Sequence, residues 1–167
     1  MKKNIVLIGF MGAGKTSVSE KLAETLKRPC VSTDRAIEEK EKRSILEIFK
    51  DFGEEYFRQQ EKKIVEELSQ KENLIIDCGG GVILQQENID RLKENGILIY
   101  LFSNPEVIHE RTKDQLHRPL LNVSCPQAKI QELLDQRKLY YEQAHFTVDT
   151  SRQSADQTAQ KILKLLP

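Results

Sequence analysis

The chain has 167 residues, of which 31% are charged and 38% are hydrophobic, and its 26 basic side chains balance its 26 acidic ones. This length predicts a single domain with a substantial core. The balanced charge provides no general electrostatic field for binding nucleic acid or a membrane surface, so we expect neither as a partner.

The first predicted element is an apolar strand over residues 5–8, followed by a phosphate-loop sequence over residues 9–16. That segment reads Gly-Phe-Met-Gly-Ala-Gly-Lys-Thr and fits the pattern of a glycine, four residues and Gly-Lys-Thr. Its glycines allow backbone amides to point at phosphate oxygens, Lys15 would place a positive charge against the terminal phosphates, and Thr16 would hold a magnesium ion. A helix over residues 17–27 would add its N-terminus to the anion site. The segment predicts binding of a nucleoside triphosphate.

The rest of the chain alternates between predicted strands and helices. We expect strands at residues 30–33, 74–78, 97–102 and 146–149, and helices that begin near residues 36, 44, 54, 86, 105, 127 and 154. This alternation predicts the α/β class, namely a three-layer α/β/α domain with a five-stranded parallel sheet whose ligands gather at the carboxyl ends of the strands. Residues 112–126 carry few helix signals, and a loop of that length inside a compact domain is either functional or disordered.

Three features bear on the location of the protein. No apolar stretch approaches the roughly 20 residues that a membrane-spanning helix needs. The first four residues lead directly into the first predicted strand and leave no room for a signal peptide. The cysteines at positions 30, 78 and 125 are odd in number and widely spaced, which is typical of reduced thiols in a cytosolic protein. We therefore expect a cytoplasmic location.

Two acidic residues follow predicted strands. Asp34 could accept a proton or a hydrogen bond from a substrate hydroxyl, and it could equally cap a helix. Asp77 could help to hold magnesium, or it could be a solvated carboxylate at a strand end. Gly79, Gly80 and Gly81 could bring backbone amides to a ligand or form a tight turn. All of these features would converge with the phosphate loop on one crevice.

Three arginines are further candidates. Arg118 lies in the loop over residues 112–126 and could swing over the phosphates to stabilise charge. Arg58 precedes Glu61 by three residues, and this spacing alone favours an exposed salt bridge on a helix. Arg137 lies on the helix after the loop and would by itself be a solvated charge.

Across essentially its whole length the chain resembles a shikimate kinase. The phosphate loop alone would specify only the superfamily, whereas the ordered set of motifs is much more specific, above all Gly-Glu-x-x-Phe-Arg, the triple glycine and Arg-Pro-Leu-Leu. Besides residues 9–16, the matching segments are Thr33-Asp34 with Ile37-Glu38, Ser44-Ile45 with Ile48-Phe49, Gly53-Glu54 with Phe57-Arg58 and Glu61, Gly79-Gly80-Gly81, Arg111, Arg118-Pro119-Leu120-Leu121, and Arg137 with Tyr141.

The resemblance implies transfer of a phosphoryl group from MgATP to the 3-hydroxyl of shikimate, within chorismate and aromatic amino-acid biosynthesis. It also implies a nucleoside-monophosphate-kinase-like fold of the phosphate-loop type, in one domain over residues 1–167. Within this domain we expect a substrate-binding helical region at about residues 34–62 and a small mobile lid at about residues 112–125. The expected ligands are ATP, Mg²⁺ and shikimate, and nothing in the sequence demands more than a monomer.

The motifs and the resemblance together assign a role to each candidate residue. The residues expected to act in catalysis are Lys15, Asp34 and Arg118. Those expected to bind the nucleotide are Gly12, Ala13, Gly14, Lys15, Thr16, Ser17, Arg111, Arg118 and Arg152. Those expected to bind shikimate are Asp34, Arg58, Gly80, Gly81 and Arg137. Those expected to hold magnesium are Thr16 and Asp77.

The sequence departs from the family pattern at the end of the second strand, where Asp-Thr-Asp is usual and Ser32-Thr33-Asp34 stands here. The first aspartate of that pattern generally helps to order magnesium, and a serine hydroxyl is a weaker metal partner. We hypothesise that Asp77 takes over part of this role, because the family often has a small neutral residue at that position. In addition, Lys42 stands where a glycine is common.

Two alternatives to an active shikimate kinase stay open. Ser32 favours a catalytically weak nucleotide-binding homologue, whereas the intact Lys15 and Asp34 oppose it. A related small-metabolite kinase, such as a gluconate kinase, would share the phosphate loop. The paired arginines and the triple glycine argue against that second alternative.

Overall fold

A computed structural model of the protein describes residues 3–114 and 124–167. Its five strands are β1 (Asn4–Gly9), β2 (Cys30–Ser32), β3 (Ile75–Asp77), β4 (Gly96–Phe102) and β5 (Phe146–Asp149). The α-helices within the described residues are α1 (Lys15–Leu26), α2 (Thr33–Glu41), α3 (Ile45–Ser69), α4 (Gln86–Glu94), α5 (Pro105–Thr112), α6 (Pro126–Tyr141) and α7 (Ala155–Leu165). A short 3₁₀ helix covers Val82–Leu84.

The five strands form one parallel sheet in the order β2-β3-β1-β4-β5. Ile5 of β1 lies opposite Ile75 of β3 on one side and opposite Ile97 of β4 on the other. The predicted α/β class with five parallel strands is confirmed. Because the chain builds outward from β1 in both directions, the carboxyl end of β1 lies at the switch point where such sheets bind ligands.

The strands are apolar throughout because both faces of the sheet are covered. Ile5 and Leu7 face a cluster that includes side chains of α1 and α7. Val6 and Ile8 face the opposite cluster, to which α2, α3, α4, α5 and α6 contribute. Alternate residues of one strand therefore belong to two cores, as expected for a parallel sheet between two helical layers. None of the helices in the described ranges has both the length and the apolar character needed to cross a membrane.

The strand β2 ends at Ser32, one residue earlier than the sequence predicts. The Ser32 hydroxyl accepts a hydrogen bond from the amide of Arg35 and is the N-cap of α2. Thr33 and Asp34 therefore belong to the first turn of α2 rather than to the strand. Lys42 ends this helix with a φ of 53°, a left-handed conformation that glycine adopts more readily than other residues.

The helix α3 combines two predicted helices into one bent element. Ser44 and Glu47 form the predicted capping box at its start. Gly53 interrupts the helical geometry with a φ of 80° and a ψ of 176°, a combination that is essentially restricted to glycine. A Cβ at this position would meet nothing within 4 Å, so there is room for a side chain. Glycine is needed here because of the backbone conformation alone.

Candidate active site

The loop between β1 and α1 has the geometry of an anion-binding site. Gly12 and Gly14 adopt φ angles of 77° and 88°, which glycine accommodates without strain. Gly14 is also the N-cap of α1, so the loop leads directly into a helix N-terminus. The Lys15 ammonium donates to the carbonyl oxygens of Gly9 at 2.9 Å and Phe10 at 3.0 Å. A cation and the start of a helix thus lie together at the carboxyl end of β1.

Thr16 and Asp77 meet beside this loop. The Thr16 hydroxyl donates to Oδ2 of Asp77 at 2.7 Å. Asp77 is buried at the end of β3, and burial raises the pKa of its carboxyl group, while the Thr16 hydrogen bond and the charge of Lys15 oppose that rise. Asp77 is therefore not a solvated strand-end carboxylate. Among the described residues no three His, Cys, Asp or Glu side chains cluster as a metal site.

Asp34 lies in the first turn of α2 and lines a cavity that residues of the phosphate loop and Asp77 also line. Because Ser32 caps that helix, the helix-cap interpretation of Asp34 is wrong. Burial raises the pKa of the Asp34 carboxyl group, and the nearby Lys15 opposes that rise. A Cβ on Gly79 would lie 2.2 Å from Oδ1 of Asp34, so Asp34 can occupy this position only because residue 79 has no side chain.

Arg58 is held by two carboxylates on its own helix. Its Nη1 donates to both carboxylate oxygens of Glu61, at 3.1 and 2.9 Å, and Glu54 accepts from its Nη2 at 3.2 Å. The side chains of Arg58 and Glu61 are only 19% and 1% exposed, so the expectation of an exposed salt bridge is wrong. Burial raises the pKa of Glu61 to about 7 although Arg58 lowers it. A Cβ on Gly81 would lie 2.2 Å from Nη1 of Arg58, so Gly81 leaves room for the guanidinium.

Arg137 is a second buried arginine, with an exposure of 8%. Its Nη1 donates to the carbonyl oxygen of Gly80 at 3.2 Å. Its guanidinium carbon lies 5.3 Å from the centre of the Phe10 ring, within the range of a cation–π contact. The expectation of a solvated charge is therefore wrong, because α6 packs this arginine against the glycine segment and the start of the phosphate loop.

One cavity of about 240 Å³ joins most of these groups. Its wall combines the phosphate loop with Ser32, Asp34, Asp77 and the glycines at positions 79 and 80. Residues of the phosphate loop, including Lys15, and two acidic residues line the same cavity. It can therefore bring a phosphorylated ligand and a hydroxyl-bearing ligand together.

A second cavity, also of about 240 Å³, opens on the other side of the phosphate loop. Arg111 lines it and donates to the carbonyl oxygens of Gly12 at 3.2 Å and Thr150 at 3.0 Å. Gln153 also lines it, and its Oε1 is buried without a hydrogen-bond partner in the described part of the chain. A buried unpaired amide oxygen suits a hydrogen-bond donor on a ligand. Arg152, the neighbouring residue, is exposed.

Sequence reasoning missed Gln153 and pointed to the residue beside it. No motif marks this glutamine, because only the fold shows that it lines the second cavity. Arg118 and most of the predicted lid lie outside the described residues, which end at 114 and resume at 124.

Comparisons with known proteins give a consistent result. A family model described as shikimate kinase matches residues 11–167. The shikimate kinase of Dehalococcoides mccartyi is 44% identical over 96% of this chain and 92% of its own length, and that of Pelotomaculum thermopropionicum is 45% identical over 98% and 95%. A solved structure of the shikimate kinase from Acinetobacter baumannii in complex with shikimate has a TM-score of 0.92 and 42% identity, with coverage of 98% of this chain and 92% of that one.

Replacement of Glu61 by glutamine is expected to change how stability depends on pH. The pKa of Glu61 is about 7 in the folded protein and 4.5 in its ordinary state, so the folded state binds this proton more readily than the unfolded chain does. The contribution of Glu61 to the free energy of unfolding therefore falls as the pH rises through this interval and is largest at its acidic end. Urea unfolding at several pH values should show the wild type losing stability relative to Glu61→Gln as the pH rises.

Glu54→Gln is the matched control for this experiment. Glu54 bonds the same guanidinium, but its side chain is 64% exposed. We expect this variant to change the free energy of unfolding by less than about 0.5 kcal/mol. A difference between wild type and Glu61→Gln that does not vary with pH would contradict the assignment.

Gly79→Ala is expected to displace the Asp34 carboxylate while the protein stays folded. The new Cβ would lie between 2.2 and 3.2 Å from the carboxyl atoms of Asp34, and the end of a side chain can move where backbone cannot. We expect kinase turnover to fall by roughly 100-fold, since a displaced carboxylate no longer aligns the acceptor. In Gly80→Ala the nearest atom to the new Cβ is 3.8 Å away, so crystal structures should show Asp34 moved only in Gly79→Ala. An unmoved carboxylate in Gly79→Ala would refute this prediction.

Proposed function

The chain belongs to the shikimate kinase family, and we propose that it transfers the γ-phosphoryl group of MgATP to the 3-hydroxyl of shikimate, in chorismate and aromatic amino-acid biosynthesis. Its enzyme class, an ATP-dependent small-molecule kinase, follows from this membership. The observation that carries the substrate assignment is the arrangement around one glycine segment. Asp34 packs against Gly79, Arg137 bonds Gly80, and Arg58 packs against Gly81 beside the phosphate loop.

The two arginines suit an acceptor that carries a carboxylate, as shikimate does. A guanidinium pairs with a carboxylate in a planar, bidentate manner that a lysine cannot reproduce. Arg58 is tethered by Glu61 and Arg137 by the Gly80 carbonyl, so both guanidinium groups are oriented before the substrate arrives. Gly80 and Gly81 would add contacts from the backbone. These features support a hydroxy acid as acceptor.

The nucleotide would bind across the phosphate loop. Its phosphates would contact Gly12, Ala13, Gly14, Lys15, Thr16 and Ser17. The base would occupy the second cavity, where Arg111 offers a planar cation and Gln153 an unpaired amide oxygen. Arg152 would approach the nucleotide from the exposed side of the same segment. Arg118 would stabilise the charge that develops on the transferring group when the lid over residues 112–125 closes.

Thr16 and Asp77 would hold magnesium together with the phosphates. The two side chains fit this ion because both donate oxygen, and a small number of carboxylates combined with phosphate oxygens is the usual ligand set of Mg²⁺. Their hydrogen bond of 2.7 Å keeps the hydroxyl and the carboxylate adjacent. When bound, the ion neutralises charge on the phosphate oxygens that the loop holds.

Asp34 would act on the acceptor hydroxyl. Its carboxylate would accept the proton or a hydrogen bond from that hydroxyl, and burial raises its pKa toward the range that a general base needs. Lys15 would exchange the carbonyl oxygens of Gly9 and Phe10 for phosphate oxygens and so place its charge on the transferring group. Positioning and charge stabilisation supply most of the acceleration in such reactions.

We further propose that the enzyme acts as a cytoplasmic monomer, with residues 34–62 as the substrate-binding region of a single domain over residues 1–167. The cysteines at positions 30, 78 and 125 are free thiols, which supports a reducing compartment.

Release of ADP in the presence of ATP, magnesium and shikimate tests the proposed function. We expect turnover that depends on shikimate and is absent with gluconate, because a flexible open-chain acid does not hold its carboxylate against the two arginines and a hydroxyl at Asp34 in one fixed geometry. Asp34→Asn should lower kcat by about 100-fold or more, since it retains the shape of the side chain but cannot accept the proton. Asp90→Asn, at an exposed position on α4, is the matched control and should leave turnover unchanged. ATP binding without shikimate-dependent turnover would refute the substrate assignment.

The magnesium requirement tests the role of Asp77. Asp77→Ser should raise the magnesium concentration for half-maximal turnover by about tenfold, because it replaces a charged oxygen ligand by a neutral one. Ser32→Asp should lower that concentration, since it restores the carboxylate that the family usually carries there. Titration with Mn²⁺, followed by its electron paramagnetic resonance signal, measures the binding directly.

The reciprocal exchange Ser32→Asp with Asp77→Ser is the control for this test. Ser32 and Asp77 lie opposite each other in the β2–β3 ladder, so the exchange moves the carboxylate by one strand without changing the composition of the site. We expect it to restore much of the magnesium affinity that Asp77→Ser loses. An unchanged magnesium requirement in Asp77→Ser would exclude Asp77 as a ligand.

A further inference from the structure

Thr150 lies directly after β5 and is 2% exposed. Its hydroxyl oxygen is 3.1 Å from the carbonyl oxygen of Ala13 in the phosphate loop and 3.1 Å from that of Phe102. It is also 2.9 Å from the hydroxyl oxygen of Ser103, which directly follows β4. This side chain therefore connects the carboxyl ends of β1, β4 and β5 behind the phosphate loop.

Arg111 is a donor to both hydroxyl groups of this cluster. Its Nη1 can only donate, and the hydroxyl oxygens of Ser103, 3.2 Å away, and Thr150, 3.4 Å away, accept from it. Between Ser103 and Thr150 either hydroxyl can be the donor. The Thr150 hydroxyl proton has two carbonyl acceptors at 3.1 Å, those of Ala13 and Phe102, and the Phe102 carbonyl also accepts from the Thr150 amide at 2.8 Å. The Thr150 hydroxyl therefore bonds the phosphate loop and the end of β4 at one point.

The bond to Ala13 determines where the next amide points. A peptide group is planar and trans, so its carbonyl and its N–H point in opposite directions. The carbonyl of Ala13 is held on the Thr150 side, and the N–H of Gly14 therefore points toward the open side of the loop. Gly14 has a φ of 88° and no Cβ, so its own conformational preference would not keep this peptide from rotating.

We propose that Thr150 is a positioning residue for the nucleotide, because its hydroxyl holds the Ala13–Gly14 peptide with the Gly14 amide directed at the phosphates. This inference rests on the proposed function in that the phosphate loop binds a nucleotide. An amide that is already oriented loses no further conformational entropy when the phosphate binds. The hydroxyl of Thr150 therefore acts on nucleotide affinity without touching the nucleotide's reacting atoms or the acceptor.

Thr150→Val tests the inference because valine keeps the shape and removes the hydroxyl. We expect the Kd of MgADP, measured by calorimetry, and the KM of ATP to rise by about tenfold, which is the value of one well-placed hydrogen bond. The KM of shikimate should not change, and Thr150→Ser, which keeps the hydroxyl, should restore the wild-type values. A general loss of structure would instead raise both KM values and would not respond to the serine variant.

Ser69→Ala is the control, since Ser69 is a half-buried residue whose hydroxyl donates to the carbonyl oxygen of Glu66 within its own helix, and it lines neither cavity. We expect normal MgADP binding in this variant. If Thr150→Val fails to fold, Ser103→Ala removes a hydroxyl that is hydrogen-bonded to Thr150 and should weaken MgADP binding in the same direction by a smaller factor. Wild-type affinity for MgADP in Thr150→Val, or in Ser103→Ala where that variant replaces it, would overturn the inference, as would an equal loss in Ser69→Ala. Failure of the wild type to bind MgADP at all would instead refute the proposed nucleotide site.

Discussion

The parallel pairing of β1 with both β3 and β4 is the constraint on which the site depends. Because all five strands run in one direction, their carboxyl ends meet at one edge of the sheet, and the phosphate loop leaves the central strand there. On one side of the loop, β3 and the turn after β2 supply the two carboxylates. On the other side, the ends of β4 and β5 supply the hydroxyl groups that support the loop from behind. The different side chains on the two sides of the loop follow from the strand order.

The site concentrates charge at low exposure, and three of its charged side chains have partners that offset the cost of burial. Arg58 lies against Glu61, Asp77 accepts from Thr16, and Arg137 donates to a backbone carbonyl. Burial of an unpaired charge would cost several kcal/mol, so these contacts are a condition for keeping the groups there at all. The glycines at positions 79 and 81 complete this arrangement by leaving space for Asp34 and Arg58. In this protein two of the three consecutive glycines are required for space.

Local patterns in the sequence predicted the parts of the site that depend on neighbouring residues. The phosphate loop is one continuous segment, and the alternation of apolar strands and helices predicted the parallel sheet. The environment of Arg58 and Arg137 could not be predicted, because burial depends on packing between elements that are distant in sequence. Gln153 was missed for the same reason. The role of Asp34 as a helix cap could be excluded only when the structure showed that Ser32 performs that task.

Positions 32 and 77 show how two neighbouring strands divide the support of the site. Ser32 and Asp77 lie opposite each other in the β2–β3 ladder. The Ser32 hydroxyl points along the chain and caps α2, the helix whose first turn carries Asp34. Asp77 lies on β3, which has a neighbouring strand on each side, and its carboxylate accepts from the Thr16 hydroxyl of the phosphate loop. Because neighbouring strands are only about 4.8 Å apart, the capped turn and the loop-bound carboxylate are held close together, and the strand pairing places both Asp34 and Asp77 at one cavity.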